Sequence, residues 1–155
     1  MKVETKRTSF FGWNCSISMD GCPSGDMTFA WMGRSGTIVV AGESFHVRSQ
    51  GVLTRAWDLW HGSSLLASAS KRALGSQFEV DLDGVRFELQ RPSLFSRGFV
   101  VKQGSGTIGS LERGGWFSRN MVGELPDTWA PEQRAFVMWL VMMVWRRRAR
   151  SRSSS

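Results

Sequence analysis

The chain has 155 residues, of which 41% are apolar and 21% are charged, and its formal net charge is +7 at pH 7. This length predicts one domain with a core of its own, and the composition excludes a chain that is disordered throughout. A positive charge of this size suggests an anionic partner, so the position of the charge along the chain decides its meaning.

The excess positive charge lies at the two ends of the sequence. Lys2, Lys6 and Arg7 outnumber Glu4 at the start, and the residues after Trp145 hold no acid but several arginines: Arg146, Arg147, Arg148, Arg150 and Arg152. Between these ends, basic and acidic residues are equal in number. We therefore expect a flexible basic N-terminus at 1–8, a balanced domain without a basic stripe, and a disordered Arg/Ser tail at 149–155.

Most of the chain consists of short runs in which apolar and polar residues alternate, separated by turns that contain glycine. In order, the runs are 10–17, 27–32, 37–40, 44–48, 54–59, 64–70, 77–82, 85–90, 98–102, 107–111 and 116–123. The clearest pair flanks Asp83-Gly84, which is a strong signal for a two-residue hairpin turn. Because strands that recur every 8–12 residues or so are typical of sandwiches and barrels, we predict an all-β domain.

A different pattern follows Pro126. Pro131 and Glu132 open an apolar segment that arginines close, as expected for the start and end of a helix. Every residue from Ala135 to Trp145 is apolar, over a length of roughly 16 Å, whereas a membrane span needs about 30 Å. A helix that is apolar on all sides must be surrounded by other parts of the protein.

We therefore predict a mainly β fold, in which a closed antiparallel barrel of roughly 11–12 strands surrounds a buried C-terminal helix. The barrel and the helix form one domain at 9–148, with the helix at about 131–148. The predicted core of the helix consists of Phe136, Trp139, Leu140 and Met143.

Several stretches match a known architecture: 64–71, 77–80, 99–101 with 104–109, and 136–145. With its antiparallel barrel and hydrophobic C-terminal helix, the chain resembles the tubby C-terminal-like fold over roughly 27–148. Tubby-like proteins, LURP-one-related proteins and phospholipid scramblases share this fold. The resemblance implies a buried C-terminal helix and, in some members, binding to phosphoinositides or other membrane lipids. The chain has no acidic loop resembling the calcium segment of scramblases, so we do not predict lipid transport.

The sequence contains no convincing catalytic motif. Residues 104–109 match G-x-G-x-x-G, but a strand and a turn follow them instead of the helix that a dinucleotide loop requires. Cys15, Cys22, His46 and His61 are not spaced like zinc ligands, and the cysteines are interpreted as apolar packing, with a local bridge between them as the alternative. We predict a non-enzymatic protein with no cofactor and no metal, in a reducing, cytoplasmic compartment.

Two basic clusters suggest a binding function. Lys71 and Arg72 end one strand, and Arg91 and Arg97 flank a turn whose apolar residues, at 94–95, look exposed. Cations beside an apolar tip are suited to shallow contact with an anionic membrane surface.

We predict a binding or regulatory module that engages anionic lipid headgroups of the phosphoinositide kind, placing a cytoplasmic protein at the membrane periphery. The predicted anion-binding residues are Lys71, Arg72, Arg91, Arg97, Arg146, Arg147 and Arg148. The alternatives are nucleic-acid or protein interaction through the Arg-rich tail, and a membrane-inserted protein that uses the segment 135–145.

Overall fold

The computed structural model describes residues 1–9, 12–31, 34–51, 55–72, 77–93, 96–115 and 118–153. Within these ranges, twelve strands are followed by one helix. The strands are β1 (Lys2–Arg7), β2 (Cys15–Met19), β3 (Cys22–Phe29), β4 (Gly36–Val40), β5 (Glu43–Ser49), β6 (Ala56–His61), β7 (Ser64–Lys71), β8 (Phe78–Leu82), β9 (Val85–Gln90), β10 (Phe99–Gln103), β11 (Gly106–Arg113) and β12 (Met121–Glu124). The helix is α1 (Pro131–Ser153).

The strands form one closed antiparallel barrel in which each strand pairs with its neighbours in sequence. Closure comes from the pairing of β1 with β12, which places Val3 opposite Gly123. A closed barrel leaves no sheet edge with unpaired backbone groups, and its side chains point alternately to the outside and the inside of the barrel. The prediction of a mainly β closed barrel with a C-terminal helix is confirmed.

Strand β1 corrects the expectation of a flexible N-terminus at 1–8. Its inward side chains, Val3 and Thr5, are buried, and Lys2, Glu4 and Lys6 alternate with them on the outer face. The amino group of Met1 donates to the carbonyl of Leu125 at 2.7 Å and lies 2.5 Å from the carboxylate of Asp127. The segment is ordered because two neighbouring strands and an ion pair hold it, although only two of its residues face the core.

Helix α1 fills the barrel. Every residue from Arg134 to Arg146 is buried, and the predicted core residues Phe136, Trp139, Leu140 and Met143 are among them. The helix continues to Ser153, so most of the tail that was expected to be disordered is helical, and residues 154–155 lie outside the described ranges. No helix in the described part of the chain is long and apolar enough to cross a membrane.

Trp139 positions the helix against strands β3 and β4. Its Nε1 donates to the carbonyl of Thr28 at 3.2 Å, and its ring stacks on Phe29 with 5.2 Å between centroids. Gly36 lies against the same indole, where an added Cβ would be 2.5 Å from Nε1. A glycine is needed here because the backbone of β4 approaches the helix too closely for any side chain.

The alternation of strand direction gives the barrel two different ends. At the end where α1 begins, the strands are joined by two-residue turns such as Asp20-Gly21 and Asp83-Gly84, in which both residues have positive φ. At the end where α1 finishes, longer segments join the strands: 8–14, 30–35, 50–55, 72–77, 91–98 and 114–120. We call these the turn end and the loop end.

The two cysteines lie at opposite ends of the β2–β3 hairpin, Cys15 buried and Cys22 exposed. Both are free, so the alternative of a bridge between them is wrong. Burial raises the pKa of the Cys15 thiol to about 12, and the carboxylate of Asp26 adds to the shift. At neutral pH this thiol is therefore protonated as well as inaccessible, which makes it a poor nucleophile.

We expect a chromogenic disulfide reagent to modify one cysteine of the native protein and both cysteines after denaturation. Absorbance at neutral pH counts the released thiolate in each state. The Cys22→Ser variant is the control, because it should leave no rapidly reacting thiol in the native protein. Rapid modification of that variant would contradict the burial of Cys15.

Candidate anion-binding end of the barrel

The two ends of the barrel differ in charge. The turn end, with the start of α1, is mixed: it holds the acids Asp20, Glu43, Asp83, Glu124, Asp127 and Glu132, and also Lys2, Arg86, Lys102, Arg134 and the amino group of Met1. The segments of the loop end contain no aspartate or glutamate, but they hold Arg34, Arg55, Arg72, Arg91, Arg97 and Arg119. Strand ends add Arg7, Lys71 and Arg113, and the last turns of α1 add Arg146, Arg147, Arg148, Arg150 and Arg152. We call this set the cationic end.

The sequence predicts a balanced domain without a basic stripe, and the structure gathers its cations at one end of the barrel. Acids and bases are equal in number between the termini, but they are unevenly distributed along the barrel axis, since the loop-end segments hold arginines and no acid. All the predicted anion-binding residues lie at the cationic end. The apolar turn residues at 94–95, expected to be exposed, lie outside the described ranges.

Neighbouring positive charges lower the pKa of several cations at this end. Burial lowers the pKa of Lys71, and the positive charges of Arg147, Arg55 and Arg91 lower it further. Burial also lowers the pKa of Arg147, helped by Arg34 and Arg55. These residues come from different loops and from the helix, so the fold concentrates positive potential that an anion would relieve.

Arg72 and Arg146 are engaged in contacts within the protein. Arg72 donates from Nη2 to Glu79 at 2.6 Å on the outer wall, a contact that raises the pKa of Arg72 and lowers that of Glu79. Arg146 is only 8% exposed and donates to the carbonyl of Ala30 at 2.6 Å. Arg72 is therefore paired with an acid, and Arg146 anchors the helix end to the β3–β4 loop.

Sequence reasoning missed several residues of the cationic end, chiefly Arg34, Arg55, Arg113 and Arg119. They could have been found by assigning the strand connections alternately to the two ends of the barrel. In an up-and-down barrel, every second connection lies at the same end. The connections that contain Arg34, Arg55 and Arg119, the last of which also follows Arg113, all fall at the end where the helix finishes.

The fold and this site define a class of protein: a helix-filled antiparallel barrel whose charge is polarised along its axis. Comparisons with protein-family models, curated proteins and solved structures find no match to this chain. The likeness to the tubby C-terminal-like fold stays a prediction. Among the residues that the structure describes, no group of three or more histidine, cysteine, aspartate or glutamate side chains could hold a metal ion.

Proposed function

We propose that this protein is a non-enzymatic module that binds anionic membrane surfaces through its cationic end. The observation that carries the proposal is the concentration of cations at one end of the barrel, where five of the six connecting segments contain an arginine and none contains an acid. A ring of cations can contact a planar anionic surface at many points at once. Each lysine or arginine near such a surface contributes about 1 kcal/mol to binding.

Stabilisation of the helix does not account for this charge. Cations near the C-terminus of α1 complement the negative end of the helix dipole, which is a structural reason to place some of them there. That end corresponds to only about half an elementary charge. The arginines of the loops and of the helix end exceed it many times over, so the helix dipole does not explain their number.

An exposed tryptophan at the same end favours a lipid partner. The side chain of Trp31 is 83% exposed, and the carbonyl of this residue accepts a hydrogen bond from Arg150 at 2.9 Å. An indole held beside arginines can lie at the headgroup level of a bilayer while the cations contact phosphates. A nucleic-acid strand would instead be matched by a stripe or groove that follows its backbone.

Vesicle flotation of the full chain tests this proposal. We expect the protein to float with phosphatidylcholine vesicles that contain phosphatidylserine or phosphatidylinositol bisphosphate, and not with phosphatidylcholine alone, at physiological ionic strength. The double variant Lys71→Gln/Arg91→Gln should bind anionic vesicles about 10–30-fold more weakly, since it removes two charges from the cationic end. The matched control is Arg86→Gln/Lys102→Gln, which removes two charges nearer the turn end and should change binding less than about threefold.

Two results would contradict the proposal. One is equal binding to neutral and anionic vesicles, and the other is an equal loss in the two double variants. A duplex DNA oligonucleotide is tested at the same salt concentration. If it binds and the vesicles do not, the cationic end is a nucleic-acid surface, and steep salt dependence will accompany that binding.

A further inference from the structure

The cationic end contains a cavity of about 410 Å³ beside the C-terminal turns of α1. Its charged lining consists of arginines from the barrel, Arg97, Arg113 and Arg119, and from the helix, Arg148 and Arg152. We call this cavity the arginine basin. The lining residues that the structure describes include no acid, and Glu112, which precedes Arg113, is exposed on the outer wall.

Two of these arginines are held in place by tryptophans. The guanidinium of Arg113 lies 5.0 Å from the ring centroid of Trp145, and that of Arg119 lies 4.8 Å from the ring centroid of Trp13. Trp145 is fixed in turn, because its Nε1 donates to the carbonyl of Arg97 at 2.8 Å. Stacking occupies one face of a guanidinium and leaves its N–H edge for an acceptor, so binding requires little further ordering.

Arg113 is partly buried among other arginines. Its Nε is buried and has no hydrogen-bond partner in the described part of the chain. Burial lowers the pKa of Arg113, and the charges of Arg97, Arg152 and Arg119 lower it further. A bound anion would reduce the repulsion among the arginines, which favours an acceptor with negative charge.

We propose that the arginine basin binds a compact anion that carries more than one phosphate group. One phosphate satisfies two or three guanidiniums, whereas the basin presents arginines from the barrel on one side and from the helix on the other. Its volume falls within the range of small-molecule sites, which is about 300–1,000 Å³. A lipid headgroup and a free polyphosphate share this chemistry. With a headgroup as the source, the inference deepens the proposed function and rests on it.

Isothermal titration calorimetry on the full chain tests the basin with pyrophosphate and inositol 1,4,5-trisphosphate, and with orthophosphate as the single-phosphate reference. We expect both polyphosphates to bind more tightly than orthophosphate. The variant Arg113→Gln/Arg119→Gln should weaken polyphosphate binding about 30-fold or more, since it removes two charge-assisted contacts. The matched control is Arg34→Gln/Arg55→Gln, which removes the same charge from the same end but outside the basin lining. It should weaken polyphosphate binding less than about threefold.

Circular dichroism checks that each variant folds. If Arg113→Gln/Arg119→Gln does not fold, Arg148→Gln/Arg152→Gln replaces it, because these side chains lie at the accessible end of α1. This variant should weaken polyphosphate binding about tenfold. Equal losses in a basin variant and in the control would overturn the basin as a defined site.

Vesicle flotation beside the titration separates this inference from the proposed function. Polyphosphate binding without vesicle binding supports the basin and overturns the membrane proposal. Vesicle binding by a protein that binds neither polyphosphate overturns the basin alone. Release from phosphoinositide vesicles by inositol trisphosphate identifies a lipid headgroup as the source. Binding of polyphosphate that leaves vesicle binding unchanged identifies a free phosphate compound.

Discussion

Replacing Leu140 with aspartate is expected to leave the chain unfolded. Leu140 is 0% exposed and lies in the middle of a segment that is buried on every side. A carboxylate there cannot reach water, and burying it unpaired costs several kcal/mol, in addition to about 3 kcal/mol for the lost leucine. Because whole domains are stable by only about 5–15 kcal/mol, this loss is comparable with the total. Circular dichroism and size-exclusion chromatography will show the unfolded chain.

Leu65→Asp is the matched control, because it makes the same chemical change at a residue that is 52% exposed. We expect that variant to fold and to lose less than about 1 kcal/mol. Trp139→Asp should behave like Leu140→Asp, since it also removes the bond to Thr28. A Leu140→Asp protein with an unchanged melting temperature would mean that the helix is not inside the barrel.

Replacing Arg134 with methionine is expected to destabilise the protein by about 2–4 kcal/mol. Arg134 is 4% exposed, and its Nη1 donates to the carbonyls of Pro126, Asp127 and Trp129, the last at 2.6 Å. These bonds fold the chain back from β12 into the start of α1. Methionine fills similar space but leaves the carbonyls without this donor. For a domain of this size, the loss lowers the melting temperature by about 6–12 °C.

Two further variants identify the cause of that loss. Arg86→Met, at an exposed position on β9, should change stability by less than about 0.5 kcal/mol. The melting temperature of Arg134→Lys should lie between those of Arg134→Met and the natural protein, because an ammonium can donate to these carbonyls but lacks the planar fork of a guanidinium. Equal melting temperatures for Arg134→Met and the natural protein would show that the guanidinium does not hold the helix start.

Particular residues explain how much of the fold could be predicted. Alternation on both sides of Asp83-Gly84 predicts a hairpin, and β8 and β9 form it. The uninterrupted apolar run at 135–145 predicts a helix with no solvent face, and its residues are all buried. Strand β1 was missed because its charged side chains outnumber Val3 and Thr5, and its order depends on pairing with β12, distant in sequence.

The candidate site was predictable only in part. Lys71, Arg91 and Arg97 were found because they sit beside turns that the local pattern reveals. The basin could not be found in this way, since it joins Trp13, Arg113 and Trp145 from opposite ends of the sequence. No local pattern encodes which loop lies beside the last turns of the helix.

The sequence by itself determined that a barrel of alternating strands must close around the apolar helix, because a helix without a polar face cannot remain in water. It did not determine where on the folded protein the positive charge is concentrated. A net charge is a sum over the chain, whereas an electrostatic potential depends on distances between charges. Only the tertiary structure decided that, because the alternation of strand direction places most of the arginines at the loop end, where the connecting segments contain no acid.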